Sequence, residues 1–322
     1  MGKKFIGNTE RFLILLLIVA FLVLKLTGCS RQSSSSLSEK DVPQIKNPPQ
    51  SQIIEPPKEK TPENPKKPII IEPKPKESKT STDQPAQETN ALEALSNEKY
   101  GWGLVPTNDG TPPEIPKNWK ELLIKYDGYY LGNTSRKEVY LTFDEGYEGG
   151  YTSQILDILK ENSVKAAFFI TGYYLDKNES LVQRMIDEGH IVGNHSVNHP
   201  SFPTLSLNEM KSEIKGLADK YSKIIGENMK YFRPPMGEFS ERSLALTKSL
   251  GYKTIFWSIA MKDWEPLPGG AEESYNTVIS RLHNGAIILL HAVSKDDTIA
   301  LPRIIKTIKD KGYEFKTLDE LP

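Results

Sequence analysis

The chain has one cysteine among its 322 residues, Cys29, so no disulfide can form within it and its stability must come from an apolar core. Neither sign of charge dominates. The 41 basic and 42 acidic residues leave a net charge of -1, which excludes a protein held to nucleic acid by bulk electrostatics and leaves neutral polymers open as partners. Histidine is scarce, with five in the chain. Long apolar runs are lacking too: the one present, Phe12 to Leu24, is 13 residues long, short of the roughly 20 that a spanning helix uses. Aromatic residues are absent from Ser30 to Lys99, so that stretch cannot bury enough apolar surface to offset the entropy of ordering it.

What surrounds the apolar run is a targeting pattern. Lys3, Lys4 and Arg11 precede it and the small residues of "LTGC" follow, which describes a secretory signal peptide over residues 1–29. "LTGC" resembles the bacterial lipobox, in which the cysteine, here Cys29, receives a diacylglyceryl group as a lipid anchor. Two acyl chains hold a membrane far better than one. Lys25, between the run and the lipobox, keeps an uncleaved signal-anchor open as the other reading. Both readings place the remainder outside the cytoplasm, attached to the cell membrane. Residues 30–100 are rich in Pro, Ser, Lys and Glu and are expected to form a disordered, extended linker. Residues 101–137 carry Trp102, Trp119, Tyr126, Tyr129 and Tyr130 among turn residues, and are expected to be an aromatic arm packed on a catalytic domain at 138–322.

From Glu138 onward, short apolar runs alternate with helical patterns. The runs are "EVYLTF", "KAAFFITG", "HIVGNH", "MKYFR", "KTIFWSIA", "GAIILLH" and "YEFKTL". Between them lie helices that start near Thr152, Glu179, Ser206, Glu241 and Thr298, with another before His283. Ser206 and Glu209 make a capping box. The rhythm predicts an α/β fold, a parallel sheet with helices outside, either closed or open.

In such folds ligands sit at the carboxyl ends of the strands. Those ends carry Asp144 and Glu145, His195 and His199, Arg233, Asp263 with Trp264, and His291. "HSVNH" spaces two imidazoles at i and i+4, one face of a helix if the backbone is helical there. With Glu145 they would make three protein ligands for a metal, leaving positions for water and substrate. Each of these residues alone also fits a solvated turn, a core histidine or a surface charge; together on one rim they suggest a site.

"TFDEG", "HSVNH", "RPPMG", "DW" and "LLH", in this order, resemble the five motifs of the polysaccharide deacetylases of carbohydrate esterase family four, the NodB-homology fold. "GYEGGYT", "EGHIVGNHSVNHP" and "FWSIAMKDW" are most similar to the members that act on N-acetylmuramic acid in peptidoglycan and serve muramic δ-lactam formation in the spore cortex. The resemblance implies a distorted (β/α)7 barrel and one divalent cation (Zn, Mn, Co or Mg) held by His195, His199 and an acid, with Glu145 facing it. It implies Asp144 as general base, oriented by Arg233, and His291 as general acid, tuned by Asp263. The Met236 backbone N–H would stabilise the oxyanion, and Trp264 and Leu289 would line the pocket for the acetyl methyl. Glu145 stands where the family has Asp, and Ala260 where its fourth motif opens with another Asp.

The function so implied is metal-dependent removal of acetyl groups from N-acetylmuramic acid residues of peptidoglycan glycan strands, with prior stem-peptide removal by an amidase and a location in the forespore envelope. Two alternatives stand beside it: deacetylation of N-acetylglucosamine in peptidoglycan or another polysaccharide, and a catalytically silent glycan-binding lipoprotein.

Overall fold

The computed structural model describes residues 84–322. The signal segment, Cys29 and most of the expected linker lie outside the described residues. No described helix is long and apolar enough to cross a membrane.

The first element lies within the expected linker. Helix α1 (Gln84–Glu93) is polar in sequence, and docking rather than helix propensity explains it. Leu92 packs against the core, and the Arg242 guanidinium donates to the Glu93 and Leu95 carbonyls at 2.7 and 2.9 Å. Structure built onto the domain therefore begins upstream of residue 101, a correction to the expected boundary. Strand β1 (Tyr100–Gly101), α2 (Lys117–Lys125) and β2 (Gly128–Tyr129) follow. Around them Trp102 stacks on Phe256 with ring centroids 4.3 Å apart, and Trp119 meets Phe239 edge-on at 5.4 Å. Aromatic pairs of this kind add about 0.5–1.5 kcal/mol each beyond the area they bury.

The chain then runs through β3 (Glu138–Glu145), α3 (Thr152–Glu161), β4 (Ala167–Ile170), α4 (Gly172–Lys177), α5 (Glu179–Asp187), β5 (Ile191–Asn194) and α6 (Leu207–Ile225). It continues through β6 (Tyr231–Phe232), β7 (Glu238–Phe239), α7 (Glu241–Ser249), β8 (Lys253–Ile255), α8 (Gly270–Ser280), β9 (Ala286–His291), α9 (Lys295–Asp310) and β10 (Glu314–Lys316). The expected capping box is formed at the start of α6, where Ser206 and Glu209 bond reciprocally. The main sheet is parallel throughout, in the order β10-β3-β4-β5-β6-β8-β2, with β9 on the other side of β3. Beyond β8, Ile259 bridges to Ile288 of β9, so the sheet curls round on itself as a distorted barrel. The seven apolar runs of the sequence are β3, β4, β5, β6, β8, β9 and β10. Apart from the main sheet, β1 pairs antiparallel with β7 and ties the arm to the domain.

Strand alternation divides the core in two. Val139, Leu141 and Phe143 of β3 belong to the large cluster packed under the helices. Tyr140 belongs to a second cluster with Phe169, Tyr231 and Ile287. The same alternation decides which way each acid at the end of β3 points.

Candidate active site

Asp144 and His291 are brought together by register. Strands β3 and β9 run parallel with Asp144 opposite His291, so the carboxyl ends of two adjacent strands present a carboxylate and an imidazole side by side. Both line a cleft of about 1080 Å³ with His195, His199, Met236, Trp264 and Leu289, a volume at the upper end of ordinary ligand pockets.

Asp144 follows the face of Tyr140 and Thr142 and is almost wholly buried. Its Oδ1 accepts from Arg233 Nη1 at 2.6 Å. Arg233 is itself fully buried, and its other donors reach the Thr142 hydroxyl at 2.9 Å and the Ile255 carbonyl at 3.1 Å. Its guanidinium carbon lies 4.1 Å from the Phe169 ring centroid. Gly193 makes room for this stack, since a Cβ there would come within 2.6 Å of the Phe169 ring. Burial alone would raise the Asp144 pKa; the Arg233 charge, then His195 and His291, overturn that and hold the carboxyl below its ordinary value. Asp144 is therefore an anion at neutral pH, poised to accept a proton.

His291 carries the opposite bias. Its Nδ1 bonds the Asp263 carboxylate at 2.8 Å, and its backbone N–H donates to the other Asp263 oxygen at 2.9 Å. Burial would lower the imidazole pKa, but Asp263 outweighs burial and raises it. With Nδ1 spent on Asp263, Nε2 remains for the cleft. Trp264 stands edge-on to the ring at 5.0 Å.

His195 and His199 meet through a turn, not through a helix. The chain leaves β5 at Asn194; Ser196 and His199 take left-handed backbone conformations (φ 67° and 57°). The Asn194 side chain accepts from the Ser196 N–H at 2.9 Å, and the Ser196 hydroxyl accepts from the His199 N–H at 2.9 Å. The rings end 4.7 Å apart. The Arg233 carbonyl lies 2.8 Å from His195 Nδ1, which makes that nitrogen the N–H and leaves Nε2 with its lone pair. Burial lowers the His195 pKa to about 4, so the ring is neutral. A neutral imidazole fixed by a carbonyl is the form in which histidine ligates metals.

Glu145 does not join them, contrary to the expectation that it faces a metal. It lies on the face of Val139, Leu141 and Phe143, turned toward the helix layer. Its Oε1 accepts from the Thr152 hydroxyl of α3 at 3.2 Å, while its Oε2 is buried without a partner. Burial, and next the nearby Glu148 charge, push its pKa well above the ordinary value, which favours the neutral acid. Neighbouring residues of an extended strand point to opposite sides, so the two acids of "FDEG" cannot both face one cleft while β3 stays regular. Among the described residues no group of three or more His, Cys, Asp or Glu is gathered as a metal site. The chain thus offers a cation two neutral imidazoles, with the Asp144 carboxylate 3.5 Å from His195 Nε2.

Residues 131–255 match the family model described as polysaccharide deacetylase. An uncharacterized 30.6 kDa protein of Geobacillus stearothermophilus is 51% identical over 230 residues, covering 71% of this chain and 87% of that protein. The peptidoglycan-N-acetylmuramic acid deacetylase PdaA of Bacillus subtilis is 44% identical over 231 residues, covering 71% of this chain and 88% of PdaA. This chain belongs to the polysaccharide deacetylase family. The solved structure of B. subtilis PdaA, a family 4 carbohydrate esterase, aligns with a TM-score of 0.68 at 43% identity, covering 70% of this chain and 98% of that structure.

The cleft of this deacetylase also has walls that the motifs do not contain. Trp102, Tyr147, Tyr173 and Trp257 line it. Trp102 arrives from the arm, donating from Nε1 to the Trp257 carbonyl at 3.0 Å. Gly237 sits between them with φ 66°, and a Cβ there would come within 2.8 Å of the Trp257 ring and 3.0 Å of Trp102. Met236 beside it holds a left-handed conformation (φ 58°, ψ 7°) that a side chain seldom adopts and is half exposed at the cleft. Tyr147 and Trp257 follow β3 and β8 directly, so their positions at strand ends were a signal in the sequence.

Proposed function

We propose that this deacetylase removes acetyl groups from N-acetylmuramic acid residues in peptidoglycan glycan strands. The observation that carries the reading is the pairing, across one cleft, of an aspartate bonded to Arg233 with a histidine bonded to Asp263. The 44% identity to PdaA points to the muramic substrate.

In this mechanism a water molecule beside Asp144 attacks the acetamide carbonyl carbon as Asp144 takes its proton. The Met236 backbone N–H is the candidate donor to the developing oxyanion. The C–N bond then breaks as His291 gives its Nε2 proton to the departing amine, leaving acetate and a free amino group. Arg233 and Asp263 are positioning residues: each fixes the rotamer and the charge of the group that moves the proton. Leu289 and Trp264 bound the space for the acetyl methyl. A divalent cation, when bound, would be held by His195 and His199 and would supply Lewis acidity toward the carbonyl oxygen.

The proposed setting follows from the N-terminal pattern and from the likeness to PdaA. A lipid anchor on Cys29, or an uncleaved signal-anchor, holds the enzyme at the outer face of the membrane. It acts after an amidase has removed stem peptides, toward muramic δ-lactam in the forespore envelope. Acetate release from amidase-treated peptidoglycan, with and without a chelator and with products read by mass, tests this. Loss of acetyl from muramic residues is the expected result. Release only from N-acetylglucosamine polymers would move the enzyme to the alternative substrate. Glycan binding with no release from either, even with added Zn²⁺ or Mn²⁺, would establish the silent reading, which the turned-away Glu145 favours.

A further inference from the structure

Behind Asp263 lies a second buried carboxyl that the mechanism above does not use. Asp297 is the third residue of α9, 1% exposed, and its backbone N–H donates to the capping hydroxyl of Ser294 at 3.2 Å. Its Oδ1 accepts from the Ser274 hydroxyl of α8 at 2.5 Å. Its Oδ2 is buried with no N–H or O–H donor directed at it. The Asp297 side chain meets the Asp263 carboxylate, with the hydroxyls of Ser274 and Ser294 beside it.

Asp263 has both oxygens engaged by His291, one by the ring and one by the backbone N–H. Two acceptors face each other in a dry interior, and they stay in contact only if a proton lies between them. Asp263 has the His291 ring and an amide N–H to stabilise its charge; Asp297 has neutral hydroxyls alone. The proton therefore belongs to Asp297. The electrostatics agree: burial first, then the hydrogen bond to Asp263 and the Asp263 charge, raise the Asp297 pKa to about 10. Asp263, which burial alone would raise, is held below its ordinary value by its bonds to Asp297 and His291.

We propose that Asp297 is a positioning residue for the deacetylation, a carboxylic acid whose O–H donates to Asp263 and fixes the carboxylate that orients His291. The inference rests on the reading of His291 as general acid. Its content is a chain from the α8–α9 layer to the cleft: Ser274 orients Asp297, Asp297 restrains Asp263, and Asp263 aims the imidazole. The O–H also draws charge from Asp263, so the carboxylate attracts the imidazolium proton less than it would alone. The charged groups acting on His291 are Asp263, Asp144 and Arg233, with His199 across the cleft. The titratable group acting on Asp297 is Asp263.

The experiment compares Asp297→Asn with Asp297→Ala in the full chain. The amide keeps an N–H donor for Asp263 and an oxygen for Ser274; alanine keeps neither. His291 is titrated by NMR without substrate, and kcat and kcat/KM are measured against pH on amidase-treated peptidoglycan. In Asp297→Ala the His291 midpoint is expected to rise by about 0.5–1 pH unit, the basic limb of the rate profile to move with it, and kcat to fall roughly tenfold. Asp297→Asn should hold the midpoint and stay within about threefold of wild-type kcat. If Asp297→Ala does not fold, Ser274→Ala removes the orienting bond and should produce a smaller shift of the same sign. An unmoved His291 midpoint in the alanine variants, with loss confined to thermal stability, would reduce Asp297 to a helix-end residue. Equal shifts in the asparagine and alanine variants would overturn the donor role. The titration needs no turnover, so it stands even if the glycan chosen is not the substrate.

Discussion

The two walls of the cleft are built on one plan with one difference. Each sets a buried aspartate against a cation: Asp144 against Arg233 at 2.6 Å, and Asp263 against His291 at 2.8 Å. Arginine cannot give up its proton at any pH the protein meets, so the first pair is a fixed anion with a fixed countercharge. Histidine can, so the second pair is a store for one mobile proton. In the first wall the carboxylate faces the cleft and the cation stands behind it; in the second the order is reversed. A pair of the same composition thus becomes a base or an acid according to which member titrates and which member faces the substrate.

The largest expected effect comes from disabling the first wall. Asp144→Asn keeps the shape and removes the acceptor, and should lower kcat/KM by about 10³-fold with melting little changed. Near wild-type acetate release would refute the assignment. Arg233→Leu tests the fixed countercharge. It leaves Asp144 buried and unpaired, and should cost about 3–5 kcal/mol in denaturant unfolding. The sign with pH follows from the depressed Asp144 pKa. The pair's stabilisation is present above the ordinary value of 3.8 and fades as pH falls through the lower native pKa, so the variant should lose this acid-side dependence.

The second wall sets the other limb of the rate profile. With Asp144 lowered from 3.8 and His291 raised from 6.5, kcat/KM should be bell-shaped, with limbs outside both ordinary values. Asp263→Asn should bring the basic limb down toward 6.5 and cut kcat by roughly 10- to 100-fold, measured as initial rates of acetate release. A basic limb unmoved by that change would break the comparison. The smallest effect is expected at Glu145. Glu145→Gln mimics the neutral acid already there, so kcat and bound metal content should stay within about twofold. The Glu145 contribution to stability should decline as pH rises from 4.5 toward its raised native pKa, because over that range the unfolded chain ionises this group first; the glutamine variant should decline less. Loss of metal from that variant would restore Glu145 as a ligand.

Most of the scaffold was legible because buried parallel strands read as short apolar runs, and β3 to β10 include every run that the sequence shows. Two-residue strands such as β2 carry no such signal, and α1 was hidden because docking of Leu92 and Arg242, rather than its own composition, holds it. In the site, each predicted residue among those described, except Glu145, lines the cleft or bonds to one that does. Adjacency of the letters "DE" suggests a pair, but the alternation of β3 separates its members and turns Glu145 away. The i,i+4 histidines converge, but on two left-handed residues that spacing alone does not reveal.

The meeting of β3 with β9 also sets when activity can arise. Thr142 bonds to the carbonyl of Ile288, a contact that spans 146 residues of chain. Such a distant closure is slow to form and comes late in synthesis. Until the segment bearing His291 has left the ribosome, the growing polypeptide has a base with no acid. A fragment cut back to residues 131–255, the stretch that the family model matches, would lack Trp102 at one end and Asp263, His291 and Asp297 at the other.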